Sequence, residues 1–328
     1  MAALKFARLT LCSAAAAAAV IAFVLLAPAL RAADEDAKTE QKAHKTDWLY
    51  KAKWGVMFHF APHMLQYADP KRDLSKAEEW NKVVAEFDAD GLAKQIKDIG
   101  AGYLLIAARH GGAMPIAPNS AIDKAAPGTC PKRDLIADLA DALEKQGLGL
   151  MLYYSTGMGV EKPKVAKESA AIIEEWSRRY GKKVKGWWLD NNVGDEELQK
   201  LLADACRAGN GDSLVAFSPP RNPRRNSKYE DFTAGNCHGP RMIGCNGRFL
   251  DGAQWHMLSY LGFNWGGYSK KGPGPRYSPE TAVSMTMRFL PKGGVVTWDV
   301  KPTLKGLIAE EFIPTLTAIG EAAATVAR

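Results

Sequence analysis

Lys185-Gly-Trp-Trp-Leu-Asp190 is a run of apolar, strand-forming residues that ends in a single carboxylate. Gly186 to Leu189 carry no polar group apart from the indole N–H groups, the pattern of a strand covered on both faces in a parallel sheet. Side chains alternate along a strand, so only one of Trp187 and Trp188 can face the interior if the sheet closes on itself. Trp54–His59, Tyr103–Ala108, Leu148–Tyr154, Leu214–Ser218 and Val295–Val300 read the same way.

Helical patterns separate these runs. Asp88–Ile99 carries Leu92, Ile96 and Ile99 at helical spacing and stops at Gly100, and Asp134–Gln146 carries Leu135, Leu139 and Leu143 and stops at Gly147. Lys164–Tyr180 and Asp195–Ala208 end at Gly181 and Gly209, as helices commonly do. Strand alternating with helix predicts an α/β chain with a parallel sheet, and this many units in one domain predict a (β/α)8, TIM-like barrel. In such a barrel functional groups gather at the C-terminal ends of the strands, where Asp190 falls. Residues 219–278 break the rhythm with Pro, Gly and Asn and only weak strands near Tyr229–Thr233 and Trp255–Leu258. The second half is therefore expected to be irregular and to hold functional loops. Leu307–Val326 reads as a closing helix, with no sign of a C-terminal β-sandwich.

The start of the chain has a different character. Lys5 and Arg8 precede an alanine-rich apolar run from Thr10 to Leu26, and small residues at Ala27-Pro-Ala29 and Ala32-Ala33 offer cleavage sites. Residues 1–33 thus read as a signal peptide, and the protein as exported, periplasmic or secreted, with no stable membrane association after cleavage. Cys12 lies at the start of the apolar run, which argues against a lipid anchor. Residues 34–46 read as a polar, disordered leader, and 47–328 as a single barrel.

Cleavage removes Lys5, Arg8 and Arg31 from 43 basic residues and none of the 36 acidic ones. The remaining charge is mildly basic and dispersed, which excludes a nucleic-acid stripe. The cluster Arg221–Arg225 reads as a solvated loop or substrate rim. Cys130, Cys206, Cys237 and Cys245 remain, permitting two disulfides in three pairings, or free thiols. Cys237 and Cys245 could close a small loop. No His/Cys spacing resembles a zinc site.

A carboxylate beside indole rings suits the apolar face of a sugar and an oxocarbenium-like transition state. Several other segments point the same way. Asp47-Trp-Leu-Tyr-Lys-Ala-Lys-Trp-Gly-Val-Met-Phe-His59, Glu79-Trp80, Phe87-Asp88-Ala89-Asp90, Lys97-Asp98-Ile99-Gly100-Ala101-Gly102-Tyr103, Pro131-Lys-Arg-Asp-Leu135, Tyr153-Tyr154-Ser155, Phe263-Asn-Trp-Gly-Gly-Tyr268 and Lys292-Gly-Gly294 follow in order. From about Trp48 to Ile319 they resemble glycoside hydrolase family 29, the α-L-fucosidases.

The resemblance implies a retaining mechanism with Asp190 as nucleophile, needing no cofactor. It implies that His59, Trp80, His110 and Tyr154 line the sugar subsite and that Trp188 sits beside the nucleophile. It further implies that Glu79 reaches ring hydroxyls and that Arg221 falls near a family arginine in the loop after the fifth strand. Two departures matter. Ala108-Arg109-His110-Gly111-Gly112-Ala113 stands where the family has Lys-His-His-Asp-Gly-Phe, and Gly235 stands where some members carry the acid/base glutamate. Glu230 is then the stand-in for acid/base, with Asp231 and Glu79 behind it. The expected function is an exported, exo-acting, α-L-fucosidase-like hydrolase whose partner is a carbohydrate. The alternative is a catalytically degenerate barrel that binds carbohydrate without cleaving it.

Overall fold

The sheet grows outward from β1 (Trp54–Phe58), which pairs on one edge with β2 (Tyr103–Arg109). β3 (Gly149–Ser155), β4 (Val184–Asp190) and β5 (Leu214–Ser218) follow in sequence order. After a short antiparallel hairpin of β6 (Phe249–Leu250) and β7 (Ala253–Gln254), β8 (His256–Tyr260) and β9 (Val295–Val300) extend the other edge. The order is β5-β4-β3-β2-β1-β9-β8, all parallel. The computed structural model describes residues 43–155, 162–190, 195–218, 224–237, 245, 247–268 and 272–328. The expected signal peptide and most of the leader lie outside them.

An extended segment takes the eighth position. At one end Asp231 N donates to Val215 O on β5, and its carboxylate accepts from Val215 N, both at 2.9 Å. Along β7 and β8, Thr233 N donates to Gln254 O and Cys237 N to Leu258 O, and Leu258 N donates to Gly235 O, each at 3.0 Å. Phe232 and Asn236 make only isolated bridges, because Gly235 turns the segment with φ +65°. The weak strand expected near Tyr229–Thr233 is this irregular stave.

Two apolar layers result, as alternation on a closed parallel sheet requires. Met57, Leu105, Met151, Tyr153, Trp188, Ala216, Phe232, Ala234 and Leu258 fill the interior. Val56, Leu104, Leu152, Trp187 and Val215 face the helices. Trp187 and Trp188 therefore point to opposite layers. Asp88, Asp134 and Asp195 cap their helices, accepting from Gly91, Ala137 and Leu198 N, which satisfies amides the first turn leaves unpaired.

The barrel is plugged below by the helix Asp47–Ala52, whose Leu49 joins the interior layer. The fold starts before that helix. Thr46 is fully buried and accepts from Arg248 Nη2 at 2.9 Å, and Lys45 Nζ lies 3.3 Å from Asp231. The disordered leader expected over residues 34–46 therefore does not extend to Lys45 and Thr46. No disulfide joins Cys130, Cys206, Cys237 and Cys245 to one another. Cys237 and Cys245 do not close a loop; their thiols donate to the carbonyls of Leu258 and of Gly247 and Phe249.

Candidate active site

Asp190 is the last residue of β4, and its register partner on β3 is Ser155. Two residues back, Trp188 pairs with Tyr153, so all four side chains belong to the interior parity. The Tyr153 hydroxyl donates to Asp190 Oδ2 at 2.6 Å. Burial first, then the Asp190 charge, pushes the phenol well above its ordinary range, so it stays protonated and keeps the carboxylate oriented. Trp188 is held by its indole N–H donating to Ala234 O on the eighth stave at 3.0 Å.

Aromatic rings wall the cavity beside this carboxylate. His110, just past β2, stacks on Tyr153 with centroids 5.5 Å apart and planes 8° apart, and Tyr153 stacks on Trp188 at 5.3 Å and 17°. His59, just past β1, stands edge-on to His110 and Tyr153 at 5.4 and 5.3 Å, with Trp265 at 5.8 Å. Met57 and Leu258 also line the cavity, together with Asn236 and Asn264, and its volume is about 270 Å³.

His59 is fixed from beneath. Its Nδ1 lies 2.8 Å from Oδ1 of the fully buried Asp299. A carboxylate only accepts, so Nδ1 carries the proton and Nε2 is left for the cavity. Asp299 Oδ2 accepts from Gly266 N at 2.5 Å. Gly266 has φ +71°, a backbone conformation that side-chain-bearing residues rarely adopt, which favours glycine beside the histidine.

Two buried polar atoms on this wall have no partner among the described residues: His110 Nδ1 and Asn236 Oδ1. Unpaired buried polar atoms are rare, and in a cavity they are where ligand hydroxyls would bond. Burial and the neighbouring His59 and His63 lower the His110 pKa to about 3, so its ring is neutral at ordinary pH. The wall therefore offers a neutral imidazole, a carboxylate, an amide and aromatic faces, a combination suited to an uncharged polyhydroxylated ring.

Asp190, His59, His110 and Trp188 meet here as expected, and four other expectations fail. Tyr154 has the opposite parity from Tyr153: it faces the helices, edge-on to Trp176 at 6.4 Å. Trp80 is a core residue, fully buried against Phe60, with its indole N–H donating to Pro115 O at 2.7 Å. Glu79 is tied on the surface between Arg72 and Lys82, at 3.2 and 2.8 Å. Glu230 is buried outside the cavity. Its oxygens accept from Phe217 N and Ser227 N, each at 2.8 Å, and from Asn226 N. Arg221 lies outside the described residues.

The glutamate missing at Gly235 has a steric cause in this chain. A Cβ there would stand 2.1 Å from His256 O, so no side chain fits without moving backbone. Tyr153, Asp299, Asn236 and Asn264 were missed. A lone aspartate inside the apolar run Val295–Val300 was the available signal for Asp299, since a buried carboxylate needs a partner.

The family model for alpha-L-fucosidase matches residues 38–324. No curated sequence matches the chain. Among solved structures, the alpha-L-fucosidase AlfC from Lactobacillus casei in complex with its alpha-L-fucose product superposes with TM-score 0.63 at 18% identity, covering 85% of this chain and 98% of that one. The alpha-L-fucosidase from Bacteroides thetaiotaomicron, trapped as a covalent intermediate, gives 0.65 at 16%, covering 84% and 74%. Isoenzyme 1 from Paenibacillus thiaminolyticus gives 0.63 at 18%, covering 85% and 74%. These likenesses speak for the barrel fold, and the family model, spanning most of the chain, shows that the protein belongs to the alpha-L-fucosidase family.

Proposed function

We propose that the protein is an exported, exo-acting, retaining α-L-fucosidase with Asp190 as its nucleophile. The observation that carries this reading is the Asp190 carboxylate, held by the Tyr153 hydroxyl at the C-terminal end of β4 in a cavity walled by His59, His110, Trp188 and Trp265. Asp190 would attack the anomeric carbon as the glycosidic bond breaks, giving a glycosyl ester and releasing the aglycone. Water then cleaves the ester with net retention. The trapped covalent intermediate of the Bacteroides thetaiotaomicron enzyme is the same chemistry in a relative of the same fold. A cavity of about 270 Å³ suits one sugar ring and so a terminal residue. Export rests on the basic, apolar and small-residue pattern of residues 1–33.

One observation favours the second reading, a barrel that binds sugar without cleaving it. Glu230, the stand-in acid, has its oxygens committed to backbone amides. The deciding experiment is hydrolysis of an aryl α-L-fucoside with an activated leaving group, which needs little protonation. Wild-type turnover that falls at least about a thousandfold in Asp190→Ala, and returns as β-fucosyl azide when azide is added, supports the enzyme. Absence of turnover in wild type, with fucose still bound, would establish the binding barrel instead.

A further inference from the structure

Asp299 is the lone acid of β9, two residues beyond Thr297, and its register partners are Met57 on β1 and Tyr260 on β8. Its carboxylate is fully buried, and both oxygens are committed to one wall of the cavity. Oδ1 meets His59 Nδ1 at 2.8 Å, and Oδ2 accepts from Gly266 N, next to Trp265, at 2.5 Å. Among the described residues Asp299 is the one hydrogen-bond partner of the His59 ring. His110, Tyr153 and Trp265 meet that ring through faces and edges.

The two bonds fix a polarity. A carboxylate oxygen cannot donate to Nδ1, so Nδ1 holds the proton and neutral His59 turns the bare lone pair of Nε2 to the cavity. An asparagine of the same shape would reverse this. Its oxygen must face the Gly266 N–H, so its NH2 faces Nδ1, which then accepts, and the His59 proton moves to Nε2. Both bonds of the wall survive, and only the polarity shown to a ligand changes.

We propose that Asp299 is a positioning residue that sets the specificity of the site: it holds His59 as an acceptor, so the sugar must present a hydroxyl proton to that wall. A group without that proton leaves two sets of lone pairs facing each other in a buried cavity, with the desolvation of both uncompensated. Selection for a donor hydroxyl therefore originates in a carboxylate that does not itself line the cavity. The inference rests on the fucosidase reading and states what that site demands of its substrate.

Imidazole nitrogen NMR at about pH 8, above the ordinary imidazole range, separates the two neutral tautomers and the imidazolium, with His59→Ala giving the assignment. Wild type is expected to show the Nδ1–H form and Asp299→Asn the Nε2–H form. The kinetic arm uses aryl α-L-fucosides with an activated leaving group, each ring hydroxyl in turn replaced by fluorine, which lacks the proton. Inductive slowing is common to both proteins and cancels when they are compared. At the position facing Nε2 the fluorine penalty in kcat/KM is expected to be about tenfold to a hundredfold larger in wild type than in Asp299→Asn, and at the others equal within about twofold. An Nε2–H or imidazolium form in wild type, or one penalty pattern in both proteins, overturns the proposal. If wild type hydrolyses no fucoside, the fucosidase reading fails separately, and Kd values of the fluorinated fucoses replace kcat/KM with the same outcomes; loss of binding as well overturns both. If Asp299→Asn does not fold, His59→Ala takes its place in the comparison, and a fluorine penalty that survives without the imidazole overturns the proposal.

Discussion

The barrel interior holds a polar layer at each end, and the two differ in whether they close. At the floor, His256 Nδ1 meets Thr233 O at 2.9 Å and Nε2 meets Thr297 Oγ1 at 2.7 Å, while the Tyr103 hydroxyl meets Thr297 Oγ1 at 2.5 Å. A carbonyl only accepts, so the order runs from Tyr103 through Thr297 to His256 Nε2, and from His256 Nδ1 to Thr233. Both imidazole nitrogens are used. At the top, His59 and Asp190 are anchored by Asp299 and Tyr153, but His110 Nδ1 and Asn236 Oδ1 face no partner among the described residues. The same residue types thus differ between the two ends: at the floor polar groups satisfy one another, and at the top two of them do not, which under the proposed function is where a sugar hydroxyl would bond.

The comparison breaks most easily at its floor. His256→Ala strands the Thr233 carbonyl and opens a cavity, and is expected to cost about 3–5 kcal/mol in urea unfolding. His110→Ala is expected to cost about 1 kcal/mol by the same measurement and to show instead as a raised KM. Comparable stability losses at both ends would refute the distinction.

Titration sharpens it further. Burial lowers the His256 pKa to about 4, against about 6.5 in the unfolded chain. As pH falls from 6.5 to 4 the unfolded chain takes up a proton that the folded one refuses, so stability falls across that window and levels off below it. The expected contribution is up to about 3 kcal/mol. His256→Gln, which cannot titrate, should flatten this slope in unfolding curves measured between those pH values.

At the top the contrast narrows to two adjacent residues. Tyr153→Phe removes a hydrogen bond to a charged group, worth about 1.5–3 kcal/mol, so kcat/KM is expected to drop roughly tenfold to a hundredfold. Tyr154→Phe, in the helix layer, is expected to leave kcat/KM within about twofold. This pair also marks what the sequence could tell. Strand ends announced His59 and Asp190, because apolar runs stop at them, whereas His110 and Trp188 entered only through the family resemblance. The choice between Tyr153 and Tyr154 depends on the register between β3 and β4, which neither strand states by itself. Trp80 misled because a buried structural indole and a sugar-stacking one read alike until packing is known. Asn236 was illegible for another reason: the eighth stave lacks the apolar run by which the other strands announce themselves.

Glu230 carries the smallest expected effect and the finest test. Burial raises its carboxyl to about 7 against the pull of the backbone amides of Phe217, Asn226 and Ser227, a value that on its own would suit a general acid. Geometry argues the other way, since those amides occupy the carboxylate outside the cavity. A folded pKa above the unfolded value of about 4.5 contributes stability that is present below pH 4.5 and lost as pH rises through 7. Glu230→Gln is therefore expected to alter the slope of stability against pH in that window. It should leave the rate ratio between poor and activated leaving groups within about twofold of wild type. A true acid behaves oppositely: its loss would slow fucosides with poor leaving groups by about a hundredfold or more while sparing activated ones. That ratio separates a perturbed carboxyl that braces the loop after β5 from one that does chemistry.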